Sequence, residues 1–268
     1  MKRQTKKKIG NGLKNFYIGL VFAFLYIPIL MVIIFSFNTS KMNIVWEGFT
    51  LSWYGTFFQN TPLMESLWNT LIIAVSSTIV STVIGTLGAI GLYKYDFKGK
   101  AIIDKLLYIP IVIPEIILGV SLLSVFSILN VPLGLLSITL AHITFSIPFV
   151  VITVRARLAG LDHSLEEAAM DLGASRLKTF FTITLPILMP GVVSGATLAF
   201  ALSIDDVVIS FFTCGPDSTT FPIKIMSMVK TGVTPEVNAL STIIMFVTIV
   251  VICINTSRQV KRLKALEV

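Results

Sequence analysis

The chain has 268 residues, of which 54% are hydrophobic and only 13% charged, with a formal net charge of +7. Soluble domains carry about 25% charged residues, so a water-soluble enzyme or binding module is excluded and each long apolar run is a candidate membrane span. The basic excess does not mark a nucleic-acid binder, because lysines beside a first membrane helix meet lipid headgroups.

The first apolar run, 16–37, follows Lys2, Arg3, Lys6, Lys7, Lys8 and Lys14. It exceeds the roughly 7–15 residues of a signal-peptide core and no Ala-x-Ala site follows it, so it reads as a retained helix. A connection at 38–66 carries Trp46, Trp53 and Tyr54, with Trp68 just beyond. Such aromatics anchor a chain at the membrane interface, and Trp46 is equally a candidate contact for arriving substrate or a docking protein. Further runs lie at 67–93, 106–129, 133–154, 187–214 and 237–256. Each reaches the roughly 20 residues that a span requires. The fold class is therefore an all-α integral membrane protein with six transmembrane helices. A basic N-terminus, 1–15, precedes a single membrane domain at 16–257, and a tail follows at 258–268.

Basic residues set the orientation. With the N-terminus inside, 18 of the 21 Lys and Arg fall on the cytoplasmic side, leaving Lys41, Lys224 and Lys230 outside. Both termini are expected in the cytoplasm, in a multi-pass protein of the bacterial plasma membrane. Cys214 and Cys253 then sit at opposite faces, so no disulfide between them is expected. His142, within the fourth run, reads as a hydrogen-bonded packing residue, and His163 is isolated. No metal-ligand spacing, Ser-His-Asp set or phosphate-binding glycine loop is present.

The cytoplasmic connection 155–186 carries the most specific pattern. Ser164 and Glu167 have capping-box spacing, which starts a helix at Ser164. Leu165, Ala168, Ala169 and Leu172 form one apolar stripe, and Gly173 suits a helix C-cap. A second short helix is expected from Ser175 toward Phe181, and Pro186 fits the first turn of the fifth span. A helix lying on lipid would prefer Leu or Phe on one face and Lys on the other. Small residues and the adjacent Glu166 and Glu167 favour docking onto a partner instead.

Glu167-Ala168-Ala169, then Gly173, then Ile183-x-Leu185-Pro186 resembles the EAA motif of ABC importer permeases, at the position that family uses. The resemblance implies the type I importer permease fold. It also implies that Glu166, Glu167, Ala168, Ala169, Gly173, Leu185 and Pro186 couple the chain to a separate ATPase. The family's assembly would supply two ATPase subunits, a second permease subunit and an extracytoplasmic substrate-binding protein. ATP and Mg would be bound by the ATPase and no cofactor by this chain. The segments "SIDDVVISFF", "FPIKIMSMVKTGVTPEVNALST" and "PIVIPEIILGVSLL" are similar to permeases of the spermidine/putrescine branch. Permeases for iron, sulfate or another solute share the scaffold, and an ATP-independent cation channel is the more distant alternative.

Three acids lie within apolar runs, where a carboxylate costs roughly 2.5–3.5 kcal/mol at mid-membrane. Asp206 shares a helical stripe with Ser203 and Ser210 and is expected to line a cation pathway. Asp205 shares one with Leu198, Leu202 and Ile209 and is expected to pair at a subunit interface. Glu115 follows Pro110 and Pro114, whose kinks free backbone carbonyls, and it serves either the pathway or helix packing.

Overall fold

The computed structural model describes residues 2–40, 45–162, 164–231, 234–246 and 249–250. The expectations for Lys41, His163, Cys253, the far part of the 237–256 run and the 258–268 tail lie outside the described residues. The chain divides into two compact units, Met1–Met64 with Ser227–Val268, and Glu65–Met226.

In the first unit, α1 (Lys2–Phe35) is one helix that passes through Pro28. None of its apolar span from Lys14 is buried within this chain. Asn38 organises the connection that follows. Its Nδ2 donates to Val45 O at 2.7 Å, its Oδ1 accepts from Glu47 N at 2.9 Å, and its carbonyl accepts from the Trp53 indole at 2.6 Å. Trp46 stays about half exposed beside this knot. After α2 (Ser52–Gln59), Asn60 Nδ2 donates to Glu236 Oε2 at 2.8 Å, and residues 235–246 are helical.

The second unit holds most of α3 (Thr61–Lys94), then α4 (Lys100–Val112), α5 (Glu115–Ile128) and α6 (Leu135–Leu158). Beyond them come α7 (Ser164–Asp171), α8 (Arg176–Thr179), a π-helical turn at Phe180–Thr184, α9 (Leu185–Asp205), α10 (Val208–Thr213) and α11 (Phe221–Thr231), which crosses into the first unit. Its centre is α6 against α9. Along α9 the face Gly191, Gly195, Ala199, Ser203 is buried throughout. Small residues at this spacing let backbones approach, the main packing device where lipid supplies no hydrophobic drive. A Cβ on Gly191 would lie 2.8 Å from Arg157 Cβ, and one on Gly195 would lie 3.3 Å from Val150 Cα. The core joins Ala89, Ile90 and Leu92 of α3 to Val150, Val151, Val154 and Leu158 of α6 and Leu188 of α9.

Among the described residues four helical stretches are long and apolar enough to cross a membrane: Lys14–Phe35, Thr61–Lys94, Leu135–Leu158 and Arg176–Asp205. The run expected as one helix at 106–129 is instead two helices bent by 113°. Ile113 is extended (ψ 136°) because Pro114, which follows it, disfavours the helical conformation there and brings no N–H donor. Pro110 is carried inside α4 without a break. The run expected as one helix at 187–214 is also broken, between Asp205 and Val208, with neither Pro nor Gly at the break.

Candidate functional site

The 164–186 connection folds as a hairpin. α7 begins at Ser164, whose N–H donates to Asp162 Oδ1 at 3.0 Å. Gly173 ends it with φ +87°, the left-handed conformation that a Cβ disfavours. Ser175 Oγ accepts from Lys178 N at 3.3 Å and caps α8. The apolar stripe does not turn inward. Leu165, Leu172, Leu177 and Phe181 are exposed, Leu172 to 90%, and so are Glu167, Ala168 and Gly173. Ala169 and Leu185 are half-buried and Pro186 exposed. The hairpin thus presents a stripe of exposed apolar residues.

Glu166 departs from its neighbours. It is 8% exposed, unlike Glu167 beside it. Both carboxylate oxygens accept from Lys94 Nζ at 2.6 Å, and the Thr184 hydroxyl donates to Oε1. Lys94 is the last residue of α3 and Thr184 the last of the π-helical turn. Nearby, Arg155 Nη1 of α6 donates to Asp104 Oδ1 of α4 at 2.6 Å. On the exposed turn after α3, the hydrogen bond and charge of Lys100 hold the Asp96 carboxyl below the usual carboxylate range.

The second cluster lies at the α9–α10 break. Asp206 takes an extended conformation (ψ 126°) and turns its carboxylate onto the start of α10. Oδ1 accepts from Ile209 N at 3.2 Å and Oδ2 from Ser210 N at 2.7 Å. A side chain that satisfies backbone donors in this way competes with helix continuation, which accounts for a break without Pro or Gly. His142 of α6 sits beside it, Nε2 3.2 Å from Asp206 Oδ2 and 3.0 Å from Ser210 Oγ. His142 Nδ1 is 2.7 Å from Ser203 Oγ, and Ser203 Oγ is 3.1 Å from Ser77 Oγ of α3. The donor pattern closes when Nε2–H donates toward the carboxylate and Nδ1 accepts from Ser203. His142 and the Asp206 side chain are 2% and 4% exposed.

The two aspartates part company at this break. Asp206 is interior and Asp205 exposed, because the chain leaves the helical path between them and extrapolated helical stripes no longer apply. Ser203 and Ser210 do share Asp206's face, as the spacing indicated, but that face is the packed one. Glu115 is exposed at the first position of α5. Lys94, Thr184 and Ser77 carried no signal in the sequence. The pairing of His142 with an intramembrane acid did carry one, since such acids take partners within the bundle.

The family described as "Binding-protein-dependent transport system inner membrane component" matches residues 81–264. The chain is 44% identical over 244 residues to the spermidine/putrescine transport system permease protein PotC of Escherichia coli (strain K12), covering 91% of this chain and 92% of that protein. It is 43% identical over 231 residues to the putrescine transport system permease protein PotI of the same organism, covering 84% of this chain and 82% of that one. A bacterial ABC transporter that imports the acidic polysaccharide alginate contains a chain of the same fold, with TM-score 0.71 at 15% identity over 95% of this chain and 97% of that one.

Proposed function

The chain belongs to the inner-membrane components of binding-protein-dependent transport systems, and from that premise we propose that it forms half of an ATP-driven path for polyamines, spermidine and putrescine. It is an ABC importer permease subunit, a transport component. The observation that carries the substrate is the 44% identity to a spermidine/putrescine permease across 91% of the chain. ATP is hydrolysed on separate chains, with Mg held there. The exposed hairpin from Ser164 to Thr184 supports docking onto one of two such ATPase subunits. A second permease subunit completes the path, and an extracytoplasmic binding protein delivers the substrate. Both termini face the cytoplasm of a bacterial plasma membrane, as the distribution of basic residues supports.

The two helix breaks support a cation path. Each frees the last carbonyls of a helix, whose dipole end is negative, and each has an exposed acid beside it, Glu115 at one and Asp205 at the other. Asp206, Ser203 and Ser210 hold the second break in shape from inside. Trp46, exposed in the first connection, contacts the binding protein or its cargo.

Proteoliposomes holding the complete importer test the reading. Radiolabelled spermidine or putrescine should accumulate only with ATP inside and the binding protein outside. Uptake of iron or sulfate instead would move the chain to another branch, and polyamine flux without ATP would make it a channel. Trp46→Ala should raise the concentration for half-maximal uptake several-fold. A lower protein level at unchanged apparent affinity would make Trp46 an interface anchor.

A further inference from the structure

We propose that Glu166, Lys94 and Thr184 form the joint that carries movement of the hairpin into α3 and α9, with Glu166 a positioning residue. The inference rests on the reading that the hairpin docks onto an ATPase.

Two adjacent glutamates on a helix point about 100° apart, and here they divide the work. Glu167 is exposed on the side open to a partner, and Glu166 is buried toward the helices. Glu166 ties three elements through one carboxylate: α7 itself, the end of membrane-length α3, and the π-helical turn that leads into α9. By chain connection alone, α7 reaches only α6, through the turn at Gly160, and α9, through the turn at Gly173 and α8. The link to α3 is non-covalent, and the ion pair lies where it must carry load. A cavity of about 540 Å³ opens beside it, lined among others by Lys94, Glu166, Met170, Arg176 and Thr179. Across that space the polar bridge stands in for close packing. The Arg155–Asp104 pair ties α6 to α4 in the same way, so helix ends that lack a covalent link to the hairpin are drawn into one frame. The π-helical turn adds a deformable segment, a feature that recurs at functional sites.

Partly buried charge pairs depend on both partners, so removal of either leaves an uncompensated charge. In proteoliposomes with the complete importer, ATP hydrolysis and uptake of radiolabelled spermidine are measured together for Glu166→Gln and Lys94→Gln. Complex yield and basal ATPase should stay within about twofold of the parent, while ATP consumed per spermidine rises about fivefold or more. The swapped pair Lys94→Glu with Glu166→Lys should recover about half of the parent's coupling. Thr184→Val, which leaves both charges in place, should raise the ratio about twofold. An unchanged ratio in both single variants overturns the proposal. So does a swapped pair as uncoupled as the singles, or lost complex in step with lost uptake at an unchanged ratio. If the charge variants do not assemble, Thr184→Val decides, and a parent-like ratio there is a refutation. Failure of the underlying reading looks different: the parent complex itself would import no spermidine with ATP.

Discussion

The hairpin joint and the α9–α10 break solve one problem in two environments. Each uses a single carboxylate to fix the end of a short helical element onto its neighbours. At the joint, Glu166 meets an ammonium group at 2.6 Å, with side chains 11% and 24% exposed. At the break, Asp206 is met by two backbone N–H groups and a histidine, all out of reach of water. The difference shows what burial demands. Near the surface one charge partner and a hydroxyl serve, and salt weakens the charge pairing. In the interior the charge must be shared among several donors, each member of the set needing the others.

The largest effect should come from the interior. Asp206→Ala leaves His142 without its carboxylate partner and α10 without its cap. Removing one partner of a buried pair costs about 3–5 kcal/mol, so the purified complex should unfold well below the parent temperature and uptake should be lost. If Asp206→Ala keeps the parent's thermal stability and only uptake falls, the carboxylate serves the path rather than the break, and the contrast between the two regions fails.

Gly173→Leu comes next. It forces a side chain into φ +87°, where a Cβ would meet nothing within 4 Å. The penalty is therefore backbone strain alone, about 1–2 kcal/mol. The hairpin should tilt rather than unfold. ATP hydrolysis should continue while uptake falls about tenfold, with the melting temperature lowered by only a few degrees. Normal transport in this variant would show that the hairpin's shape is not what the partner reads.

Asp205→Asn separates charge from structure. Asp205 is exposed one residue from a buried acid, so neutralising it should leave stability intact and cut polyamine uptake at matched complex abundance. If Asp205→Asn destabilises the complex as much as Asp206→Ala, the two acids share one structural role.

These two regions also differ in how far the sequence foretold them. The hairpin was legible because its signals are local. Ser164 at the start, Gly173 at the end and Pro186 in the next turn each act within a few residues, and each stands where expected. Its clamp was not, since Lys94 and Glu166 are 72 residues apart and nothing local pairs them. The small-residue face of α9 was readable as a helix but not as the packing seam. The break at Asp206 was missed because an unbroken apolar run looks the same whether or not a side chain caps a backbone turn within it. At that break Asp206 turns inward while Asp205 stays exposed. The bend at Ile113 was half legible, since both prolines were seen as kink sites, yet only Pro114 ends the helix.

The smallest expected effect is the most discriminating test of how the interior set is shared. Ser77 is its outermost member, touching Ser203 at 3.1 Å and the Ala74 carbonyl of its own helix at 3.3 Å. Ser77→Ala removes a neutral hydroxyl and leaves Ser203 with His142. The net worth of such a bond is about 0.5–1.5 kcal/mol, so unfolding should shift by a few degrees and uptake stay within about twofold. Because the site is buried, that shift should be the same at low and high salt. Lys94→Gln, at the joint nearer the surface, should lose less relative to the parent as salt rises, since the interaction it removes is already screened there. If Ser77→Ala instead costs as much as Asp206→Ala, the network acts as an indivisible unit. If it costs nothing, Ser203 and His142 are held by their packing alone and the chain of hydroxyls ends at Ser203.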